Sequence, residues 1–82
     1  MTGHDDPYRE LAAAIIKLAV TDYESAYKHY LRRPDSVYAK DNVEWQKRFF
    51  YSDWFELLAD HLDGPRLVRM VEEKVQREVK KE

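Results

Sequence analysis

The chain has no cysteine, only 2 glycines and 3 prolines in 82 residues, no long apolar run and almost no charge imbalance. Each lack excludes something. Without cysteine there are no disulfide staples, no thiolate nucleophile and no cysteine-ligated zinc, and an intracellular compartment is the easier reading. So little glycine and proline argues against a turn-rich all-β fold, which needs a punctuating residue roughly every 8–12 positions. Leu11 to Val20 is the most apolar stretch, yet it holds Lys17 and is about half the roughly 20 residues of a membrane span. The start, Met1-Thr2-Gly3-His4-Asp5-Asp6, lacks the basic and apolar regions of a secretory signal, so a soluble, cytoplasmic protein is expected. A formal net charge of -2 gives no general pull toward nucleic acid or anionic lipid.

What is present points to helices. Hydrophobic residues make up 44% and charged ones 37%, enough for one core, and the length allows a single domain over residues 1–82 with a flexible N-terminus at 1–6. Asp5, Asp6 and Pro7 form a helix-start signal, an acidic cap followed by a residue whose missing N–H is not needed there. From it Leu11, Ala12, Ile15, Ile16, Ala19, Tyr23, Ala26, Tyr27 and Tyr30 recur at three- and four-residue steps, one stripe of a helix. Pro34 restricts Arg33, so this helix runs to about Leu31 and would be ~37 Å long. Residues 34–41 read as a connection. Asp41 and Glu44 have capping-box spacing and predict a second helix there, short and aromatic. Ser52 and Asp53 can cap a third from about Asp53 to Leu62, unless one helix continues through Ser52. Gly64 fits a left-handed cap and Pro65 the first position of a fourth helix, which carries Leu67, Val68, Val71, Val75 and Val79. The fold class is therefore all-α, a small bundle of three to four helices, with Leu11, Ile15, Ala19, Tyr23, Phe50, Trp54, Leu58, Val68 and Val71 in its core. The last helix has no stop signal. Its end either frays or belongs to a longer protein, and Val79 is expected exposed in what reads as a monomer.

Two segments carry a resemblance: Ala14-Ile15-Ile16-Lys17-Leu18-Ala19-Val20-Thr21-Asp22-Tyr23, and Arg48-Phe49-Phe50-Tyr51-Ser52-Asp53-Trp54-Phe55 leading to Leu57, Leu58 and Asp63-Gly64. The chain from Leu11 to Val71 resembles small all-helical proteins of unknown function from Gram-positive bacteria and their prophages. The resemblance implies a helical fold and such a source, and carries no activity.

Function is less legible. No nucleophile, base and orienting group assemble into a catalytic set, so the chain reads as a non-enzyme. Asp22, Tyr23 and Glu24 are neighbours of a kind that a highly charged chain produces by chance, and Asp60 with His61 sits in a separate helix. His4, His29 and His61 lack the i, i+3 or i, i+4 ligand spacing of a helical metal site, and no cofactor is implied. Trp45, Phe49, Phe50, Tyr51, Trp54 and Phe55 fall within 11 positions and cannot all point inward from helices. Phe49, Tyr51 and Phe55 are therefore candidate members of an exposed surface for a protein partner. Arg32, Arg33, Lys47 and Arg48, in the basic segment 28–48, are candidate phosphate contacts for a nucleic-acid-binding or regulatory protein. The helices flanking Asp63-Gly64 also invite a helix-turn-helix reading with Arg66, Arg69, Lys74 and Arg77, opposed by the interleaved Glu72, Glu73 and Glu78. The leading expectation is a protein-interaction module. Its partner and its biological process are not written in the sequence.

Overall fold

Proline and serine divide the chain into four helices. A computed structural model describes residues 7–59 and 61–82, in the order α1 (Pro7–Arg32), α2 (Val37–Phe50), α3 (Asp53–Leu58) and α4 (Gly64–Lys80). The acidic cap and tail expected at residues 1–6, and Asp60, lie outside the described residues. With no strand among the described residues, the all-α bundle is observed directly.

α1 starts at Pro7 and ends where Pro34 bars further helix, its last turn closed by the Arg33 amide donating to the His29 and Tyr30 carbonyls at 3.0 and 3.1 Å. α2 begins five residues before the start expected from an Asp41 cap. Ser36 is its N-cap, and its hydroxyl accepts from the Ala39 amide at 3.2 Å. The first turn was hidden because Val37 and Tyr38 are exposed and only Ala39 is buried, so no apolar periodicity announced it. α2 and α3 are separate helices. The Ser52 hydroxyl donates to the Phe49 carbonyl at 2.6 Å and accepts from the Phe55 amide at 3.2 Å, closing one helix and opening the other. α3 stops at Leu58, short of Leu62, with Ala59 as its C-cap.

Gly64 is not a left-handed cap. It is the first residue of α4, no glycine among the described residues has a positive φ, and Asp63 is the N-cap, accepting from the Arg66 amide at 3.2 Å. The reason for glycine is proximity: a Cβ there would lie 1.8 Å from the Phe50 carbonyl oxygen and 3.3 Å from the Phe55 ring. The start of α4 is thus pressed onto the end of α2.

The short α1–α2 connection makes those helices antiparallel neighbours. α4 runs parallel to α1, because its partners climb together: Tyr23 donates to Glu72 at 2.6 Å, Gln76 to the Tyr27 hydroxyl at 2.8 Å, and Arg32 Nε to Glu82 at 3.0 Å. Lys74 pairs with Glu24 and Lys28 with Glu82 along the same seam. The partners joined by hydrogen bonds along this seam are 49 or 50 positions apart. Carried back to Gly64, that offset sets the start of α4 level with Ala14 and Ile15. The first two turns of α1 therefore extend past α4, and α3 with the following link is what lies beside them.

Tyr23, Ala26, Val43, Phe50, Phe55, Ala59, Val68, Val71 and Val75 form the core. The Phe49, Phe50 and Phe55 rings meet at centroid separations of 5.4–5.7 Å, and Tyr23 packs on Phe50 at 5.9 Å. Of the expected core, Tyr23, Phe50, Val68 and Val71 are buried, and Ile15, Ala19 and Leu58 are half-buried. Leu11 and Trp54 are corrections, at 59% and 56% exposed. Leu11 lies on the overhanging part of α1. Trp54 yields to Phe55, because the Ser52 cap sets the register of α3 and adjacent residues on a helix diverge by about 100°. Val79 is also corrected: it is half-buried against the core, since the parallel α1 runs alongside α4 to its end.

Candidate protein-interaction surface

The overhang of α1 creates an open concavity. Ala12 and Ile16 continue the core stripe of α1 toward its start and meet α3 and the link that follows. Between them lies an open groove of about 470 Å³, lined by Tyr8, Ala12, Ile16, Leu57, Leu58 and Leu62, with Arg9, Lys17 and His61 also in its wall. Three of its apolar side chains stand in solvent, Tyr8 57%, Leu57 71% and Leu62 48% exposed, over a floor of buried Ala12 and half-buried Ile16 and Leu58. The Tyr8 hydroxyl donates to the Leu57 carbonyl at 3.4 Å, a link from α1 to α3. Large apolar groups gathered in a concavity, with polar groups around them, are what a partner's side chains can fill. Among the described residues the charged groups that line the groove, Arg9 and Lys17, are basic.

The residues singled out from sequence are placed differently. Phe55 is buried at 1% exposure and is removed from any contact surface, because it is the side chain with which α3 anchors to Phe49 and Phe50. Phe49 is half-buried in the same cluster. Tyr51 is exposed, but it stands at the α2 C-cap next to Lys47 and Arg48 and is not part of the groove wall. No sequence signal singled out Tyr8, Leu57 and Leu62, whose adjacency arises from the packing of α1 against α3.

The four candidate phosphate contacts do not form one patch. Arg32 and Arg33 close α1, whereas Lys47 and Arg48 lie near the far end of the antiparallel α2, roughly 15 Å away by helical rise. Arg32 is engaged by Glu82, which its guanidinium holds below the usual carboxylate range. Lys47 sits 3.6 Å from Glu72, and Arg48 lies over the Trp45 ring. On α4, Lys74 is held by Glu24, while Arg66, Arg69 and Arg77 are exposed. The geometry gives the nucleic-acid reading less support than the sequence did.

Around Tyr23 a polar tie joins three helices: its hydroxyl donates from α1 to Glu72 on α4, which also faces Lys47 from α2. Burial, then the bond to Glu72, pushes the Tyr23 hydroxyl far above its ordinary range, so it stays a proton donor. Asp22 beside it is exposed and is not part of the groove wall. Among the described residues no group of three or more His, Cys, Asp or Glu side chains is placed to hold a metal ion, and no helix is long and apolar enough to cross a membrane. No family model, curated protein or solved structure matches the chain.

Proposed function

We propose that the chain is a non-enzymatic protein-interaction module, working in the cytoplasm and of prophage origin, whose contact surface is the groove between α1 and α3. The observation that carries this is the exposure of Tyr8, Leu57 and Leu62 around one concavity, at the end of the molecule that α2 and α4 leave uncovered. Keeping such groups in water costs about 25 cal/mol for each Å² of apolar surface, which association recovers. The occupant that fits is a partner segment with an apolar face flanked by carboxylates, because Arg9 and Lys17 stand in the groove wall. The cytoplasmic setting rests on the missing cysteines, and the prophage origin on the resemblance of the two motif segments.

A photoreactive residue at Leu57 tests this in the cells that make the protein. It should crosslink to one defined partner, and the crosslink should weaken when Arg9 is changed to Glu. The same probe at Lys40, on exposed α2, should not reproduce it. Equal labelling from both positions, or none from Leu57, would refute the reading.

A further inference from the structure

The face of α1 turned away from the groove carries a second, separate feature. From Leu11 to Val20 every residue but Lys17 is apolar, so this half of the helix is hydrophobic all round, a pattern that belongs to buried helices. Yet only one side of it is covered. At about 100° per residue Leu11, Ala14 and Leu18 fall within about 60° of one another, on the side opposite Ala12 and Ile16. Leu11 is 59% and Leu18 63% exposed, Ala14 is exposed and Ile15 half-buried beside them. The strip has defined limits, since Thr21, Asp22 and Ser25 make the same face polar further along.

We infer that this strip is the contact between two copies of the chain, packed antiparallel through the first halves of their α1 helices. Three observations select a second copy. The strip is apolar and short, which suits a facing strip of the same kind. Its flank carries Glu10 and Lys17, exposed and seven positions apart on one side of the helix, Lys17 standing between the strip and the edge of the groove. In an antiparallel pair related by a two-fold axis, like flanks meet. With the pair centred at Ala14, Glu10 of one copy lies within about 1.5 Å of the level of Lys17 of the other, and the converse contact repeats the pairing. A parallel pair, with its two-fold axis along the helices, would instead bring unlike flanks together and set Glu10 and Lys17 against the partner's Ile15 side, with no such pairing. Finally, Ala14 at the centre allows the helices to approach closely, and α2, α3 and α4 all pack on other faces of α1, so neither copy blocks the other. A strip of two turns falls short of the 1,200 Å² or so of a standard stable interface, so the association is weak and concentration-dependent, with the single copy prevailing when dilute.

Sedimentation velocity over about a hundredfold range of concentration reads this directly. The wild-type chain should shift from a monomeric toward a dimeric mass. Leu18→Glu should weaken association by more than about tenfold, because a charge enters an apolar contact twice. Helical dichroism should be unchanged, as Leu18 is exposed. Glu10→Lys should weaken association, and Glu10→Lys combined with Lys17→Glu should restore it. A monomer at every concentration overturns the inference, as does a dimer indifferent to Leu18→Glu. Leu57→Lys separates this contact from the groove: it should abolish the partner crosslink and leave the dimer intact, and loss of the dimer in that variant would mean that the strip is not the contact.

Discussion

Replacing Phe55 and Trp54 with alanine, one at a time, tests how α3 is seated. The two are adjacent and both aromatic, yet Phe55 is 1% exposed and Trp54 56%. Phe55 meets Phe49 and Phe50 at 5.5 and 5.7 Å between ring centroids and lies under Gly64, so its removal leaves a cavity that these neighbours cannot close. A fully buried phenylalanine lost in this way costs about 3–5 kcal/mol. Trp54 buries less than half of a surface of about 250 Å², and at about 25 cal/mol per Å² of buried surface this is worth at most ~2.7 kcal/mol, with no closed cavity left behind. An 82-residue domain has roughly 4–12 kcal/mol of stability in all. Phe55→Ala should therefore bring the fold close to collapse, while Trp54→Ala should remain folded with a modestly lower urea midpoint. Urea unfolding followed by far-ultraviolet dichroism measures both. A Trp54→Ala variant as unstable as Phe55→Ala would refute the register that the Ser52 cap gives to α3.

Other expectations follow from the same packing. Gly64→Ala forces its Cβ against the Phe50 carbonyl and must displace the start of α4, at a cost of at least about 1–3 kcal/mol despite the better helix propensity of alanine. A urea midpoint within experimental error of wild type would contradict the close approach. Tyr23 is held protonated in the fold but ionises near its ordinary value of about 10 when unfolded, so the unfolded state binds fewer protons above that pH. Stability should fall as pH rises past about 10. Alkaline unfolding should release a tyrosine absorbance step that Tyr23→Phe removes; an unchanged step would show that Tyr23 titrates freely. Leu18→Glu should leave thermal stability within about 0.5 kcal/mol of wild type, as for other exposed positions. A larger loss would place Leu18 in the monomer's own core.

How much of this was legible in the sequence depended on punctuation. α1 and α4 were readable because Pro7, Pro34 and Asp63-Gly64-Pro65 mark their ends and their apolar stripes have helical spacing. The start of α2 was not, because its first turn exposes Val37 and Tyr38 and is capped by Ser36, inside a stretch whose turn formers read as a connection. Periodicity is equally silent on which of two adjacent aromatics turns inward over a helix of six residues, and only the cap decided for Phe55. Leu11 shows the same limit from the other side. It lies on an apolar helix, but whether it is covered depends on how far α4 reaches, which the seam from Tyr23–Glu72 to Arg32–Glu82 sets. The groove needs two such non-local facts, the overhang of α1 and the placement of α3 beneath it, and neither has a local signature. Gly64 was read correctly as a boundary and incorrectly as a left-handed cap, since spacing cannot distinguish a backbone turn from a backbone contact.

The most direct measurement is a nuclear magnetic resonance titration of the isotope-labelled protein with a designed amphipathic helical peptide, apolar on one face and flanked by glutamates. If the groove between α1 and α3 is the docking surface, amide shifts should cluster at Ala12, Ile16, Leu57, Leu58 and Leu62, shrink with added salt and disappear in Leu57→Lys. Shifts centred on Tyr51, Lys47 and Arg48 instead, or none at peptide concentrations that saturate an interaction of about millimolar affinity, would contradict it.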